Sequence, residues 1–342
     1  MKRRSFLTAA VAAIPAATFG QPLALAAEPS STKTTSPAEG KEGEMKYRML
    51  GRTGQKVSIL GLGGYHLGML EEEKDSIDLI RAAIDGGITF MDNCWDYHNG
   101  ASEIRMGKAL KDGYREKVFL MSKIDGRTKA LAAQQLEQSL QRLQTDHIDL
   151  MQHHEVIRIE DPDRIFAEGG AMEALVEAQA AGKIRFIGFT GHKDPMVHLR
   201  TLDIAREKGF RFDAVQMPLN VLDAHFRSFQ EQVLPVLLKE ENGVLGMKSM
   251  ASGHALSTKT VTPQECLQFA MSLPTSVVIA GMENKGILRK NLDVAYNFTP
   301  LSDVQIAALL ERTAEPGATG KYELFKTATQ FDATARNPDW LG

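Results

Sequence analysis

From Lys56 onward, short apolar runs alternate with longer stretches in which apolar and polar positions mix at helical spacing. The runs at 57–62, 88–92, 118–123, 148–153, 184–189, 214–217, 244–247 and 276–280 read as strands. The stretches at 72–85, 131–143, 171–181, 196–208, 229–241, 263–272 and 285–295 read as amphipathic helices. Within 131–143, Leu131, Leu136, Leu140 and Leu143 fit a helical stripe better than alternation. Gly86-Gly87, Gly182 and Gly209 fall just after helical stretches, where a left-handed C-cap is needed. Eight strands alternating with helices predict an α/β protein with a parallel sheet, and the number eight favours a closed (β/α)8 TIM barrel over an open sheet. Residues 45–50, with Gly51-Arg-Thr-Gly54 as the turn, predict an N-terminal β-hairpin closing the barrel's bottom. Residues 302–312 predict an extra C-terminal helix. The barrel is therefore expected over 45–313. Residues 314–342, with Phe325, Phe331 and Trp340, are expected to form a tail packed on it, either over the mouth or as a plain surface extension.

The N-terminus follows a different pattern. Lys2-Arg3-Arg4-Ser5-Phe6-Leu7 leads into an Ala-rich apolar run and then Ala24-Leu25-Ala26, a small-x-small cleavage pattern. Residues 1–26 thus read as a twin-arginine (Tat) signal peptide, removed near Ala26 by an export route that delivers the chain to the periplasm or outside the cell. The run contains Pro15 and is shorter than the ~20 apolar residues of a membrane span, so no stable anchor is expected. Residues 27–44, rich in Ser, Thr, Pro, Glu, Gly and Lys, read as a disordered linker.

Composition narrows the chemistry. Apolar content of 43% and charge of 24% are those of an ordinary globular protein. A net charge of −3 without a long basic block gives no reason to expect nucleic acid. Two cysteines, Cys94 and Cys266, make no disulfide framework. No metal-ligand spacing is evident, because His153 and His154 are adjacent and no nearby Cys or His completes a set.

Catalytic residues of a (β/α)8 barrel sit at the C-terminal ends of strands. Asp92 ends the second run, Lys123 the third, and His154 lies just past the fourth; Tyr97 is in the loop after Asp92. Neighbouring strands would bring all four to one mouth. Adjacent side chains on a strand face opposite ways, so only one of His153 and His154 can point into it.

These residues, with Gly100-Ala-Ser-Glu103, Asp149-Leu-Met-Gln-His-His154, Gly182-Lys-Ile-Arg-Phe-Ile-Gly188 and Val215-Gln216, give 45–291 a resemblance to the aldo-keto reductase superfamily. The family pattern selects His154. The resemblance implies an NAD(P)-dependent oxidoreductase that reduces a small carbonyl to an alcohol, or the reverse, with Tyr97 as general acid/base. A free phenol has a pKa of ~10, so Lys123 is expected to lower that of Tyr97, and Asp92 to hold Lys123 charged. His154 would donate to the carbonyl oxygen, and a nicotinamide would give the hydride.

The resemblance also implies cofactor contacts from Gly64 and Tyr65 at the first strand's mouth, and from Asp92, Thr190 and Gln216. Met247 stands where many members have a stacking aromatic, and Lys248 follows it. Thr190-Gly191 replaces a frequent Ser-Asn. At the adenosine end Gly281, Met282 and Ile287 stand around the phosphate positions with Lys285 and Arg289 close by, and Asn291 matches an asparagine near the adenine. NADP(H) is favoured by the family and NAD(H) remains open, since Glu283 lies in the same segment. Trp95, with His154, is expected to line the substrate pocket. The competing readings are an oxidoreductase that never releases its cofactor and a noncatalytic dinucleotide-binding sensor.

Overall fold

Leu60 begins the first strand of a closed, all-parallel barrel in the computed structural model, which describes residue 40 and residues 43–342. The expected signal peptide, and the linker as far as residue 42 apart from residue 40, lie outside the described residues. The barrel strands are β3 (Leu60–Gly63), β4 (Phe90–Asp92), β5 (Phe119–Ile124), β6 (Ile148–His153), β7 (Ile184–Thr190), β8 (Ala214–Pro218), β9 (Gly243–Met247) and β10 (Val277–Gly281). β10 pairs with both β9 and β3, which closes the ring. The predicted (β/α)8 barrel is the observed fold, and the N-terminal hairpin is present.

That hairpin divides what reads in the sequence as one strand over 57–62. β1 (Tyr47–Met49) pairs antiparallel with β2 (Lys56–Ser58), and the barrel strand starts afresh at Leu60. Ser58 makes the corner. Its hydroxyl donates to Leu60 O at 2.6 Å and accepts from Thr89 N at 2.9 Å. An unbroken apolar run carries no sign of such a bend.

Period-two alternation sorts the strand residues between two apolar layers. Phe90, Phe119, Met121, Leu150, Ala214, Leu245, Val277 and Ile279 fill the barrel interior, with Phe186 against them and Leu50 and Val57 of the hairpin plugging its base. Met91, Leu120, Met151, Ile187, Phe189, Val215, Val244 and Val278 face outward into a larger cluster under the helices. Burial of each such side chain is worth about 1.5–3 kcal/mol. Gly61 on β3 makes room for this interior: a Cβ there would lie 3.0 Å from Val277 and 3.3 Å from Phe90.

The same parity carries the interior face upward into the mouth. Two or four residues beyond an interior apolar residue come Asp92, Lys123, Gln152, His154, Thr190, Gln216, Met247 and Gly281. The ladder places Lys123 opposite Gln152, Thr190 opposite Gln216 and Gly63 opposite Asp92.

Helices follow the predicted stretches, and two short ones, Asp161–Ile165 and His254–Ser257, lie outside them. The stretch 229–241 is two helices, Phe229–Gln232 and Leu234–Lys239, because Pro235 has no N–H to donate to Glu231 O. A further helix, Ala101–Ala109, follows the Tyr97 loop. The extra C-terminal helix is capped by a reciprocal Ser302–Gln305 pair and runs as Asp303–Gly317, past the expected boundary at 313. The tail beyond it forms short helices at Leu324–Thr327, Ala333–Arg336 and Pro338–Leu341. No helix among the described residues is long and apolar enough to cross a membrane.

Candidate active site

Asp92 and Lys123 form a buried ion pair at the mouth. The Lys123 ammonium also donates to Asn93 O at 2.7 Å and to the Tyr97 hydroxyl at 3.4 Å, and lies 4.9 Å from the centre of the Tyr97 ring. Gln216 Nε2 donates to the other Asp92 oxygen at 3.2 Å. The His154 ring stands edge-on to Tyr97, with centroids 5.9 Å apart. All four sequence-predicted side chains thus meet at one place. His153 has the opposite parity and is fully buried, with neither ring nitrogen hydrogen-bonded. Burial pushes it down to about 3, so it is neutral.

The loop carrying Tyr97 is held by the Gly-Ala-Ser-Glu segment. His98, Asn99 and Gly100 all have left-handed φ, which turns the chain sharply into the helix Ala101–Ala109. A Cβ at Gly100 would lie 2.5 Å from Arg142 Nε. Ser102 Oγ donates to Gly64 O at 2.7 Å, and buried Glu103 accepts from Ser122 Oγ at 2.6 Å and from Arg142 at 3.3 Å. This segment therefore positions Tyr97 rather than forming part of the proton-transfer set.

One electrostatic expectation is overturned. Lys123 does not bring the Tyr97 phenol below its usual range. Burial, with the negative charges of Asp92, Asp96 and Asp125, pushes it well above 10. The negative charge of Asp92, paired with Lys123, offsets the ammonium's field at the phenol. His154 is raised as well, for a different reason: burial alone would lower it, but Asp125, by charge and hydrogen bond, with Asp96 and Glu155, raises it overall.

Behind His154 lie groups that the sequence reading missed. His154 Nδ1 is 2.8 Å from Asp125 Oδ1, 3.2 Å from Cys94 Sγ and 3.9 Å from Asp96 Oδ1. Burial and the neighbouring Asp125 push Asp96 up to about 6, and burial with both carboxylates pushes the Cys94 thiol well above its usual range. These residues come from different strand ends and loops, so no spacing signals them. Gln152 was also missed, although its parity with His154 is a usable signal.

The tail lies against this mouth. Glu155, next to His154, accepts from Ala333 N and Thr334 N, both at 2.8 Å, and from the Thr334 hydroxyl at 2.9 Å. Asp332 pairs with His192 and Lys193. Lys248 Nζ sits between Phe325 and Phe331, 5.4 and 5.1 Å from their centres. Trp95 meets Trp340 edge-on at 5.3 Å, and its Nε1 donates to Gln138 at 2.7 Å.

Several mouth amides lack internal partners. Gln216 Oε1, both side-chain polar atoms of Gln152, and Asn291 Nδ2 are buried without hydrogen bonds. Leaving a buried polar group unpaired costs about 1–3 kcal/mol, so these groups fit a polar ligand bearing an amide, as nicotinamide does. Thr190 Oγ1 approaches Met247 Sδ at 4.0 Å between them. The frequent asparagine could not replace Gly191, whose Cβ would lie 2.2 Å from Val156 O. Tyr65 is half exposed and edge-on to Tyr97 at 5.3 Å. Beyond Gly281, Lys285 and Arg289 are exposed on the helix Lys285–Tyr296, Lys285 with a distant partner in Asp78 at 3.9 Å; its first turn suits a phosphate.

A closed parallel barrel with Asp, Tyr, Lys and His gathered at its mouth is an arrangement suited to carbonyl reduction. The aldo/keto reductase family matches residues 59–266, and the chain belongs to that family. It is 34% identical over 206 residues to aldo-keto reductase YhdN of Bacillus subtilis (strain 168), covering 56% of this chain and 58% of that protein. Uncharacterized oxidoreductase YrpG of the same organism is 32% identical over 232 residues, covering 61% and 68%. The chain thus spans less than two thirds of the length of YhdN. Among solved structures, the holo form of aldo-keto reductase AKR11C1 from Bacillus halodurans superposes with a TM-score of 0.67 at 24% identity. That match covers 79% of this chain and 96% of the other and bears on the fold alone.

Proposed function

We propose that this chain is an exported NAD(P)H-dependent carbonyl reductase, in which Tyr97 protonates the carbonyl oxygen while His154 donates a hydrogen bond to it. When bound, a reduced nicotinamide supplies the hydride. The observation that carries the reading is the convergence of the Asp92–Lys123 pair, the Tyr97 hydroxyl and the His154 ring at one mouth. A phenol held protonated is the acid that reduction requires. A ring N–H of His154 can stabilise the negative charge that develops on the oxygen. Asp92 fixes Lys123, and Gln216, Gln152 and Thr190 offer polar contacts for the carboxamide. Trp95 forms a wall of the substrate pocket. Gly64, Tyr65, Met247 and Lys248 line the cofactor's path, and Gly281, Lys285 and Asn291 take the adenosine end. NADP(H) is the preferred form, by family habit and the exposed cations Lys285 and Arg289. Arg3-Arg4 and the apolar run after them support export through the Tat machinery to the periplasm.

Stopped-flow oxidation of NADPH and NADH by a panel of small carbonyls tests the reading. Tyr97→Phe should slow turnover about 10²–10⁴-fold and leave dinucleotide affinity within a few-fold. Undiminished turnover would refute the role of Tyr97. No turnover by the unaltered chain with any carbonyl, despite tight dinucleotide binding, would favour the sensor reading.

A second reading, permanent cofactor retention, is favoured by the tail. Its anchors at Glu155, His192 and Lys248 lie across the mouth, and it would have to shift to release a dinucleotide. Native mass spectrometry of protein purified without added cofactor should then show one bound dinucleotide. Only ligand-free protein would count against retention.

A further inference from the structure

Cys94, Asp96, Asp125 and His154 each aim one donor atom into a common space, and these atoms all lie within 4.8 Å of one another. We propose that they form a binding site for one divalent d-block cation of the zinc type.

The donor set points to that class. A thiolate and an imidazole favour zinc-like ions, whereas magnesium and calcium take oxygen ligands almost exclusively. His154 Nδ1 lies 2.8 Å from Asp125 Oδ1, 3.2 Å from Cys94 Sγ and 3.9 Å from Asp96 Oδ1, and no two of the four donor atoms are more than 4.8 Å apart. A tetrahedral site with metal–sulfur bonds of ~2.3 Å and metal–nitrogen or –oxygen bonds of ~2.0 Å has donor–donor edges of about 3.3–3.7 Å. The distances from Nδ1 fall on both sides of that range, and closing the widest pair by at most about an ångström would seat the ion.

Charge supplies the second reason. Among the described residues neither carboxylate has a Lys or Arg within ion-pair distance; His154 is the only pairing group of both. Asp96 Oδ1 is buried and accepts no hydrogen bond. The guanidinium of Arg127 is spent on the main-chain oxygens of Asp125, His154 and Glu155 and on Asp161. Two buried carboxylates around one imidazole leave an excess of negative charge, which a cation would neutralise. The surroundings are braced: Gln135 Oε1 accepts from Asp125 N and Gly126 N, both at 2.8 Å. Cys94 and Asp125 are fully buried, while the Asp96 side chain keeps 13% of its surface exposed and offers the way in.

The site stands apart from the reductase reading, but its consequence for catalysis rests on it. An ion on His154 Nδ1 leaves the proton on Nε2, the nitrogen remaining for a carbonyl oxygen, and makes that N–H a stronger donor.

The test uses the full chain, stripped with a chelator and titrated with Co²⁺. One equivalent should bind and produce a thiolate-to-cobalt charge-transfer band, which Zn²⁺ then displaces. Cys94→Ser should abolish the band, Cys266→Ser should leave it unchanged, and Asp96→Asn should weaken binding at least tenfold. A missing band, a band lost with Cys266→Ser, or undiminished affinity in both Cys94→Ser and Asp96→Asn would overturn the proposal. Should Cys94→Ser fail to fold, Asp96→Asn, at the solvent edge, still decides. Stoichiometric cobalt binding without carbonyl turnover would count against the reductase and leave the metal site standing.

Discussion

Lys248 is a cation in an unusual place. It lies between two aromatic rings of the tail, has no carboxylate within ion-pair distance among the described residues, and is pushed down by burial to about 8. Below that value it is charged and, on the proposed function, would attract an anionic pyrophosphate; above it that attraction would fade. The dissociation constant of the dinucleotide should therefore begin to rise near pH 8, by up to about tenfold per pH unit. Lys248→Met should weaken binding at neutral pH and remove the bend. Fluorescence titration across pH 6–10 checks both. Residues of this kind differ in how far the sequence discloses them. Asp92, Lys123 and His154 were legible because strand parity carries an interior position straight into the mouth. Cys94, Asp96 and Asp125 were not, since their meeting with His154 depends on how loops from different strands fold back. The protonated Tyr97 was missed for a related reason: proximity to Lys123 was readable, but its prior commitment to Asp92 and Asn93 O was not.

Elements were read well where periodicity was long and poorly where the chain bends within a run. The eight barrel strands and the larger helices follow from alternation and spacing. The corner at Ser58 and the break before Pro235 interrupt runs whose apolar pattern continues through them. The tail was the least readable element, because its three helices are single turns too short for a period to register. Its strongest anchor is a buried triad. Lys326 Nζ donates to Asp223 at 2.7 Å, to Glu323 at 2.9 Å and to Phe226 O at 2.7 Å, with all three side chains excluded from solvent. Lys326→Met would strand two carboxylates and should cost about 3–5 kcal/mol, read by urea unfolding. Burial pushes Glu323 up to about 7, with Asp223 adding to the rise. A carboxyl raised on folding stabilises most fully below its unfolded value of 4.5, and that contribution is lost as pH climbs through about 7. Glu323→Gln should flatten the unfolding free energy over this window.

At the scale of the whole molecule, the barrel sets the position of the site and the tail packs against its mouth. The closed ring brings residues from eight strands to one rim, and the last thirty or so residues cross part of that rim through Glu155, His192, Lys248 and Trp95. Glu155→Gln replaces the carboxylate that receives Ala333 N, Thr334 N and the Thr334 hydroxyl. It should loosen the tail and speed dinucleotide release at least severalfold, as measured by stopped-flow displacement. The chain has two tryptophans, Trp95 in the mouth loop and Trp340 near the C-terminus, and they touch. All of its indole emission therefore originates at the joint between rim and tail. Any lifting of the tail would part the two chromophores, so the protein carries an unlabelled optical gauge of that joint.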